Sequence, residues 1–93
     1  MQVVFTQHGA ERMQQRLNIS IRAGSKVDIT AGFAHSRTYL CNVAGTMMES
    51  WYCTIPGVRA VMIVNRDTKQ MITLMTQGHV VDTVYAQARN TMH

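Results

Sequence analysis

Residues 5–20 read FTQHGAERMQQRLNIS, and this stretch organises the rest of the chain. Thr6 is a good N-cap residue, and a run of helix formers follows it, so the stretch predicts a helix over residues 7–16. With successive side chains turned by about 100°, the apolar residues share one face of this helix and the basic residues share the opposite face. His8, Arg12 and Arg16 follow one another at four-residue spacing, which makes them surface neighbours.

Three basic side chains on one face form a candidate anion-binding cluster. Arginine binds phosphate through a planar fork of N–H donors, and histidine can take up or release a proton near neutral pH. The simpler interpretation is a solvated polar face on a surface helix. The two interpretations differ in whether an anion binds to this face.

The remaining patterns predict the other elements. Ala23, Val27 and Ala31 recur at four-residue spacing, which predicts a second helix within residues 21–33 that Gly32 ends. Strand patterns follow at residues 38–43, 48–55, 58–64 and 71–76, and an apolar face over residues 80–92 predicts a C-terminal helix. The sequence therefore predicts an α+β fold with two N-terminal helices packed on one face of a four-stranded antiparallel sheet, and a C-terminal helix.

Length and charge limit the class of protein. A chain of 93 residues predicts one domain over residues 1–93. The formal net charge of +4 suits an anionic partner such as nucleic acid or an acidic protein surface. No apolar run approaches the ~20 residues that span a bilayer, and no signal-peptide pattern opens the chain. We expect a cytoplasmic protein without a membrane segment.

The two cysteines do not indicate a metal site. Cys41 and Cys53 can pair if their strands lie side by side, but two free thiols fit a cytosolic protein better. No closely spaced Cys or His pair of the kind that binds zinc is present. We expect neither a metal nor a cofactor.

Two segments of the chain match a family pattern. The opening follows F-T-x-H-[AG]-x-x-R-M-x-x-R-x-x-I-S, and the strand over residues 71–74 is of the closing type I-x-T-[ILV]. These segments resemble a family of small domains of unknown function that are found beside bacterial toxins. That family is related in fold to the RelE, barnase and colicin-type ribonucleases. Asn18 departs from the family's usual glycine, and residues 80–93 are an addition to its pattern.

The resemblance implies a RelE-like domain that acts on or binds RNA, either as a metal-independent endoribonuclease or as a remnant of one. Such enzymes drive the 2′-hydroxyl onto the adjacent phosphate, and they need an acid, a base and positive groups. His8 is the candidate acid or base, and Thr73 is a candidate hydrogen-bond donor. The candidate catalytic set is therefore His8, Arg12, Arg16 and Thr73, in which the two arginines hold the phosphate. The candidate RNA contacts are Arg12, Arg16, Arg59 and Arg66.

A second hypothesis is a non-catalytic inhibitor or adaptor, as small phage proteins often are, that binds and blocks a host protein. Aromatic and methionine side chains are common in protein-binding patches. The candidate patch for this function is Met47, Met48, Trp51 and Tyr52. A third hypothesis is a nucleic-acid-binding protein without catalysis. The partner is RNA in the first hypothesis, a host or antitoxin protein in the second and nucleic acid in the third. The sequence leaves the oligomeric state open.

Overall fold

The structure is a computed structural model that describes residues 1–43 and 46–91, with side chains for residues 1–36 and 47–89. Along the chain, the elements are β1 (Gln2–Phe5), α1 (Gln7–Leu17), β2 (Lys26–Asp28), β3 (Phe33–Val43), β4 (Thr46–Cys53), β5 (Val61–Asn65), β6 (Gln70–Met75) and α2 (His79–Thr91). A single 3₁₀ turn, Ile29–Ala31, joins β2 to β3.

The strands form one mixed sheet in the order β2-β1-β6-β5-β4-β3. Strands β3 to β6 make an antiparallel meander. Strand β1 lies beside β6 in parallel, with Phe5 opposite Met71, and β2 pairs antiparallel with the other side of β1. The first strand of the chain therefore lies next to the last strand.

Strand β5 is buried on both faces because neighbouring side chains in a strand point in opposite directions. Val61 and Ile63 pack in a cluster with side chains of α2. Met62 and Val64 belong to a larger cluster that includes side chains of α1. The two helices therefore pack on opposite faces of the sheet.

The predicted fold class is wrong. The structure has one N-terminal helix and a six-stranded mixed sheet, where the sequence predicted two helices and four antiparallel strands. Residues 21–33 were predicted to be helical, but they form a turn, β2, the 3₁₀ turn and the start of β3. The predicted helix over residues 7–16, the C-terminal helix and the strand regions between residues 38 and 76 are confirmed.

The failure at residues 21–33 has a local and a distant cause. Gly24 has a φ of 87°, which an α-helix does not accept. Val27 pairs with Val3 of β1, and a β-branched side chain is well suited to a strand. Pairing with a strand more than twenty residues away outweighs the four-residue spacing that suggested a helix.

Candidate functional site

The start of α1 is bonded to strand β6 through one hydroxyl group. Thr6 Oγ1 accepts a hydrogen bond of 3.0 Å from the backbone N–H of Gly9, as an N-cap does. The same hydroxyl donates a hydrogen bond of 2.8 Å to the backbone carbonyl of Met71. The residue that begins the helix therefore also fixes the helix against the sheet.

Gly9 allows α1 to lie against the backbone of β6. It is buried, and a Cβ at this position would lie 2.5 Å from the carbonyl oxygen of Met71. The side chain of Met71 would be in conflict with the same Cβ. The absence of a side chain at Gly9 is thus what brings the neighbouring residue of α1, His8, close to β6.

The exposed side of α1 and the adjacent part of β6 carry a continuous set of polar side chains. Arg12 Nε donates a hydrogen bond of 3.3 Å to His8 Nε2, and Thr73 Oγ1 lies 3.4 Å from the same ring nitrogen. One turn further along, Arg16 Nη1 donates to Thr76 Oγ1 at 3.4 Å. We call these five residues the α1 row.

The structure thus brings together His8, Arg12, Arg16 and Thr73, the four residues that the sequence analysis proposed as a catalytic set. On a helical wheel, His8 falls opposite the apolar stripe, which suggests that it points away from the sheet. It nevertheless reaches Thr73, because α1 packs closely against β6.

The arginines of the α1 row carry uncompensated charge. Among the described residues, the ion pairs involve Asp28, Glu49 and Asp82, and none of them includes Arg12 or Arg16. Positive charge without a carboxylate partner is the arrangement that binds an anion.

The other two arginines proposed to contact RNA lie outside the α1 row. Arg59 Nη2 forms an ion pair of 2.7 Å with Asp82 on α2, and its guanidinium lies 4.7 Å from the centroid of the Tyr85 ring. Arg66, in the turn between β5 and β6, contacts Glu49. Among the described residues, the ion pairs of Arg59 and Arg66 are with α2 and β4 and not with the α1 row.

The patch proposed for protein binding is not a single exposed surface. Trp51 is only 8% exposed and belongs to the cluster that includes α1. Tyr52 and Met48 are half-buried against the cluster on the other face, and Met47 is half-buried as well. Adjacent strand residues point to opposite faces, so Trp51 and Tyr52 do not form one patch.

Tyr85 fixes α2 to the ends of β4 and β5. Its hydroxyl accepts a hydrogen bond of 2.9 Å from the N–H of Ala60 and lies 3.1 Å from the carbonyl oxygens of Cys53 and Ala60. Burial raises the pKa of this phenol above its ordinary value of 10.0. The role of Tyr85 is therefore structural, in the packing of α2.

A second polar cluster, which the sequence analysis missed, surrounds Glu49 on β4. Trp51 Nε1 donates to Glu49 Oε2 at 3.2 Å, and His35 Nε2 lies 3.7 Å from that oxygen. Arg66 Nε lies 3.9 Å from Glu49 Oε1. We call these four residues the Glu49 cluster. No local sequence pattern marked this cluster, because the strand register that places His35 directly opposite Trp51 in the β3–β4 pair is known only from the structure.

The described residues contain no group of three or more His, Cys, Asp or Glu side chains placed to hold a metal ion. Cys53 is a buried free thiol, whereas the side chain of Cys41 lies outside the described residues. In the described part of the chain, neither helix has the length and apolar character needed to cross a membrane. No family model, curated protein or solved structure matches this chain.

Proposed function

We propose that this chain is a small cytoplasmic RNA-binding domain, and that the α1 row binds a phosphate of the RNA backbone. One observation carries the proposal. Arg12 and Arg16 lie one turn apart beside β6, without a carboxylate partner, and His8 and two threonine hydroxyls lie next to them. The resemblance of residues 5–20 to toxin-associated domains supports the same ligand.

The donors of the α1 row suit a phosphodiester. A guanidinium presents five N–H donors, and Arg12 uses one on His8 and one on Gln15 Oε1, at 2.9 Å. Arg16 uses one on Thr76. Both arginines therefore keep donors for phosphate oxygens, and their contacts on the protein hold the guanidinium groups in place before RNA binds.

The α1 row supplies binding more completely than it supplies cleavage. Cleavage by the 2′-hydroxyl takes a proton from that hydroxyl and gives a proton to the departing 5′-oxygen. In the α1 row, His8 is the single residue of a type that commonly serves as a general acid or base. RNA binding is therefore the function that this geometry supports best, and RNA cleavage needs a second proton-transfer group.

The test is the salt dependence of RNA binding. Replacing both Arg12→Gln and Arg16→Gln should weaken binding of a single-stranded RNA oligonucleotide, measured by fluorescence anisotropy at several salt concentrations. Each lost phosphate contact should reduce the slope of log K against log salt by about 0.7, or about 1.4 for two contacts. The matched control is the double variant Arg22→Gln and Arg89→Gln, which removes the same charge from other exposed positions.

Two outcomes would contradict the proposal. An unchanged slope in the Arg12 and Arg16 variant would mean that these arginines are only solvated. An equal loss of slope in the control variant would mean that RNA responds to net charge and not to the α1 row. A wild-type protein that does not bind RNA at low salt would leave the adaptor hypothesis, with a protein partner, in its place.

A further inference from the structure

An apolar cleft of about 180 Å³ opens between α1, the connection that follows this helix, and the sheet. Ile19 and Ile21 of the connection lie on its outer side, since Ile19 is exposed and Ile21 is half-buried. The inner side chains are buried and come from five elements, namely Phe5 of β1, Met13 of α1, Ile29 of the 3₁₀ turn, Phe33 of β3 and Met62 of β5. We call the space between these residues the core cleft. No residue of the α1 row lines it.

The two large apolar side chains that stay exposed in the described part of the chain both lie at the core cleft. They are Ile19, which is 39% exposed, and Ile55, which is 46% exposed. Ile19 lines the cleft, and Ile55 packs over another lining residue, Gly32, with its Cδ1 atom 3.3 Å from where a Cβ of Gly32 would lie. Single exposed apolar residues are ordinary, but exposed apolar residues around an apolar cleft are typical of a binding site.

The backbone groups beside the core cleft are already paired with one another. The N–H of Ile29 donates to the carbonyl of Met1 at 3.0 Å, and the N–H of Gly32 donates to the carbonyl of Ile29 at 3.2 Å. The carbonyl of Gly32 accepts from the N–H of Thr54 at 2.9 Å. A water molecule held inside a protein needs about two to four polar partners. Water in the core cleft is therefore weakly held, and an apolar ligand can displace it.

The single charged side chain among the lining residues, Asp28, is neutralised within the protein. Its Oδ1 atom forms an ion pair of 3.1 Å with the ammonium group of Met1. The same oxygen accepts hydrogen bonds from the N–H of Thr30 at 3.0 Å and from its hydroxyl at 2.6 Å. A charged ligand would lose its hydration in the core cleft without gaining an unpaired partner of opposite charge, which is unfavourable. The charges at the cleft therefore fit an uncharged ligand.

We propose that the core cleft binds a small uncharged aromatic molecule. Apolar cavities of about 150 Å³ lined by Leu, Ile and Phe accept a benzene ring, so the core cleft has room for one ring with a small substituent. Phe5 and Phe33 favour an aromatic ring over an aliphatic one, because aromatic pairs gain energy beyond their buried area. The thioethers of Met13 and Met62 add favourable contacts between sulfur and the ring. This site does not depend on the proposed function in RNA binding.

The first experiment titrates toluene into the wild-type protein and follows the isoleucine methyl groups by NMR. The methyl signals of Ile19, Ile21 and Ile29 should shift together, with one dissociation constant of about 1 mM or tighter. Ile63 is the internal control, because it packs on the other face of the sheet, beneath α2. Benzylamine and benzoate carry the same ring with a charged group at neutral pH. Both should bind at least about tenfold more weakly than toluene.

The second experiment fills the core cleft by substitution. Val27 lines the cleft, so Val27→Phe places a ring in the space that the ligand would occupy. The matched control is Lys26→Phe, because Lys26 is exposed and adjacent residues of a strand point to opposite faces. Toluene at about five times its dissociation constant should raise the melting temperature of wild type and Lys26→Phe by about 4–8 °C. Val27→Phe should bind toluene at least about tenfold more weakly than wild type does.

Several outcomes would overturn the inference. Methyl signals that do not shift up to the solubility limit of toluene would do so, as would equal shifts at Ile63, which would mean that toluene adsorbs to the protein without a site. Benzylamine or benzoate that binds as tightly as toluene would contradict an uncharged ligand, and unchanged toluene binding by Val27→Phe would contradict the location.

Two further points complete the test. Wild-type protein that is a dimer without toluene and a monomer with it would show that a second copy covers the core cleft, and would overturn the inference. If Val27→Phe does not fold, the methyl titration of wild type still decides. None of these measurements uses RNA, so a protein that fails to bind RNA would overturn the proposed function and leave this inference intact.

Discussion

Gly9→Ala is the substitution that tests how closely α1 is packed against β6. An added Cβ would lie 2.5 Å from the carbonyl oxygen of Met71 and would also be in conflict with its sulfur. The sulfur can move, because it is part of a flexible side chain. The carbonyl oxygen cannot move in the same way, because it also accepts a hydrogen bond from Thr6. The conflict is therefore relieved only if α1 moves away from the sheet.

The size of the effect follows from these contacts. Bringing the new Cβ to about 3.3 Å from the oxygen, a normal carbon–oxygen contact, moves this part of α1 by about 0.8 Å. Alanine stabilises a helix by about 1 kcal/mol relative to glycine, and overpacking costs about 1–3 kcal/mol. The expected net loss is about 1 kcal/mol, which lowers the melting temperature by about 4–8 °C.

The same shift should weaken the α1 row. His8 Nε2 lies 3.4 Å from Thr73 Oγ1, at the limit of a hydrogen bond, so a further displacement of α1 breaks this contact. Thermal unfolding by circular dichroism and RNA binding by anisotropy should both respond. Glu11→Ala, at an exposed position of the same helix, is the control. A Gly9→Ala protein that melts several degrees above wild type would refute the reasoning, since helix propensity alone gives that result.

Three further predictions concern stability. Ile63→Ala should lower the free energy of unfolding, measured by chemical denaturation, by about 2–4 kcal/mol, since Ile63 is buried in the cluster beneath α2. A decrease below about half a kcal/mol would contradict this location of the core. Hydrogen bonds from the side chain and backbone of Thr30 lower the pKa of Asp28 from 3.8 to about 2. Wild type should therefore melt at a higher temperature than Asp28→Asn above pH 4, and this difference should disappear as the pH falls to 2. A constant difference across that range would show that Asp28 does not act through its charge. The raised pKa of Tyr85 means that wild type loses stability as the pH rises above 10.0, through the folded-state pKa. Tyr85→Phe should start less stable, because the N–H of Ala60 loses its partner, and should lack this alkaline loss; an identical alkaline decline in both proteins would assign it to other groups.

Local signals identified most of the elements correctly. Thr6 begins α1 as its N-cap pattern predicts, and the apolar run at residues 61–64 forms the central strand β5. Side chains that are apolar on both faces of β5 require two covered faces, and the structure provides one helix for each. The predicted fold packed two N-terminal helices on one face of the sheet and assigned no element to the other face, so it did not meet this requirement.

Pairings between distant residues were not visible in the sequence. Val27 lies opposite Val3, and Phe5 lies opposite Met71, and neither pair has a local pattern that marks it. The α1 row was partly found because His8, Arg12 and Arg16 are close in sequence. The Glu49 cluster was missed because its members come from separate strands and a turn, where spacing along the chain carries no signal.

The pairing of β1 with β6 also determines when the α1 row can assemble during synthesis. His8 and Thr73 are 65 residues apart, so the ribosome has made the helix long before it makes the strand that the helix contacts. The loop between them must close before β1 and α1 are held in place, and contacts of such high sequence separation form late in folding. A nascent chain that has emerged only as far as β5 therefore carries the basic face of α1 without Thr73 or Thr76. The complete α1 row can form only after β6 has left the ribosome.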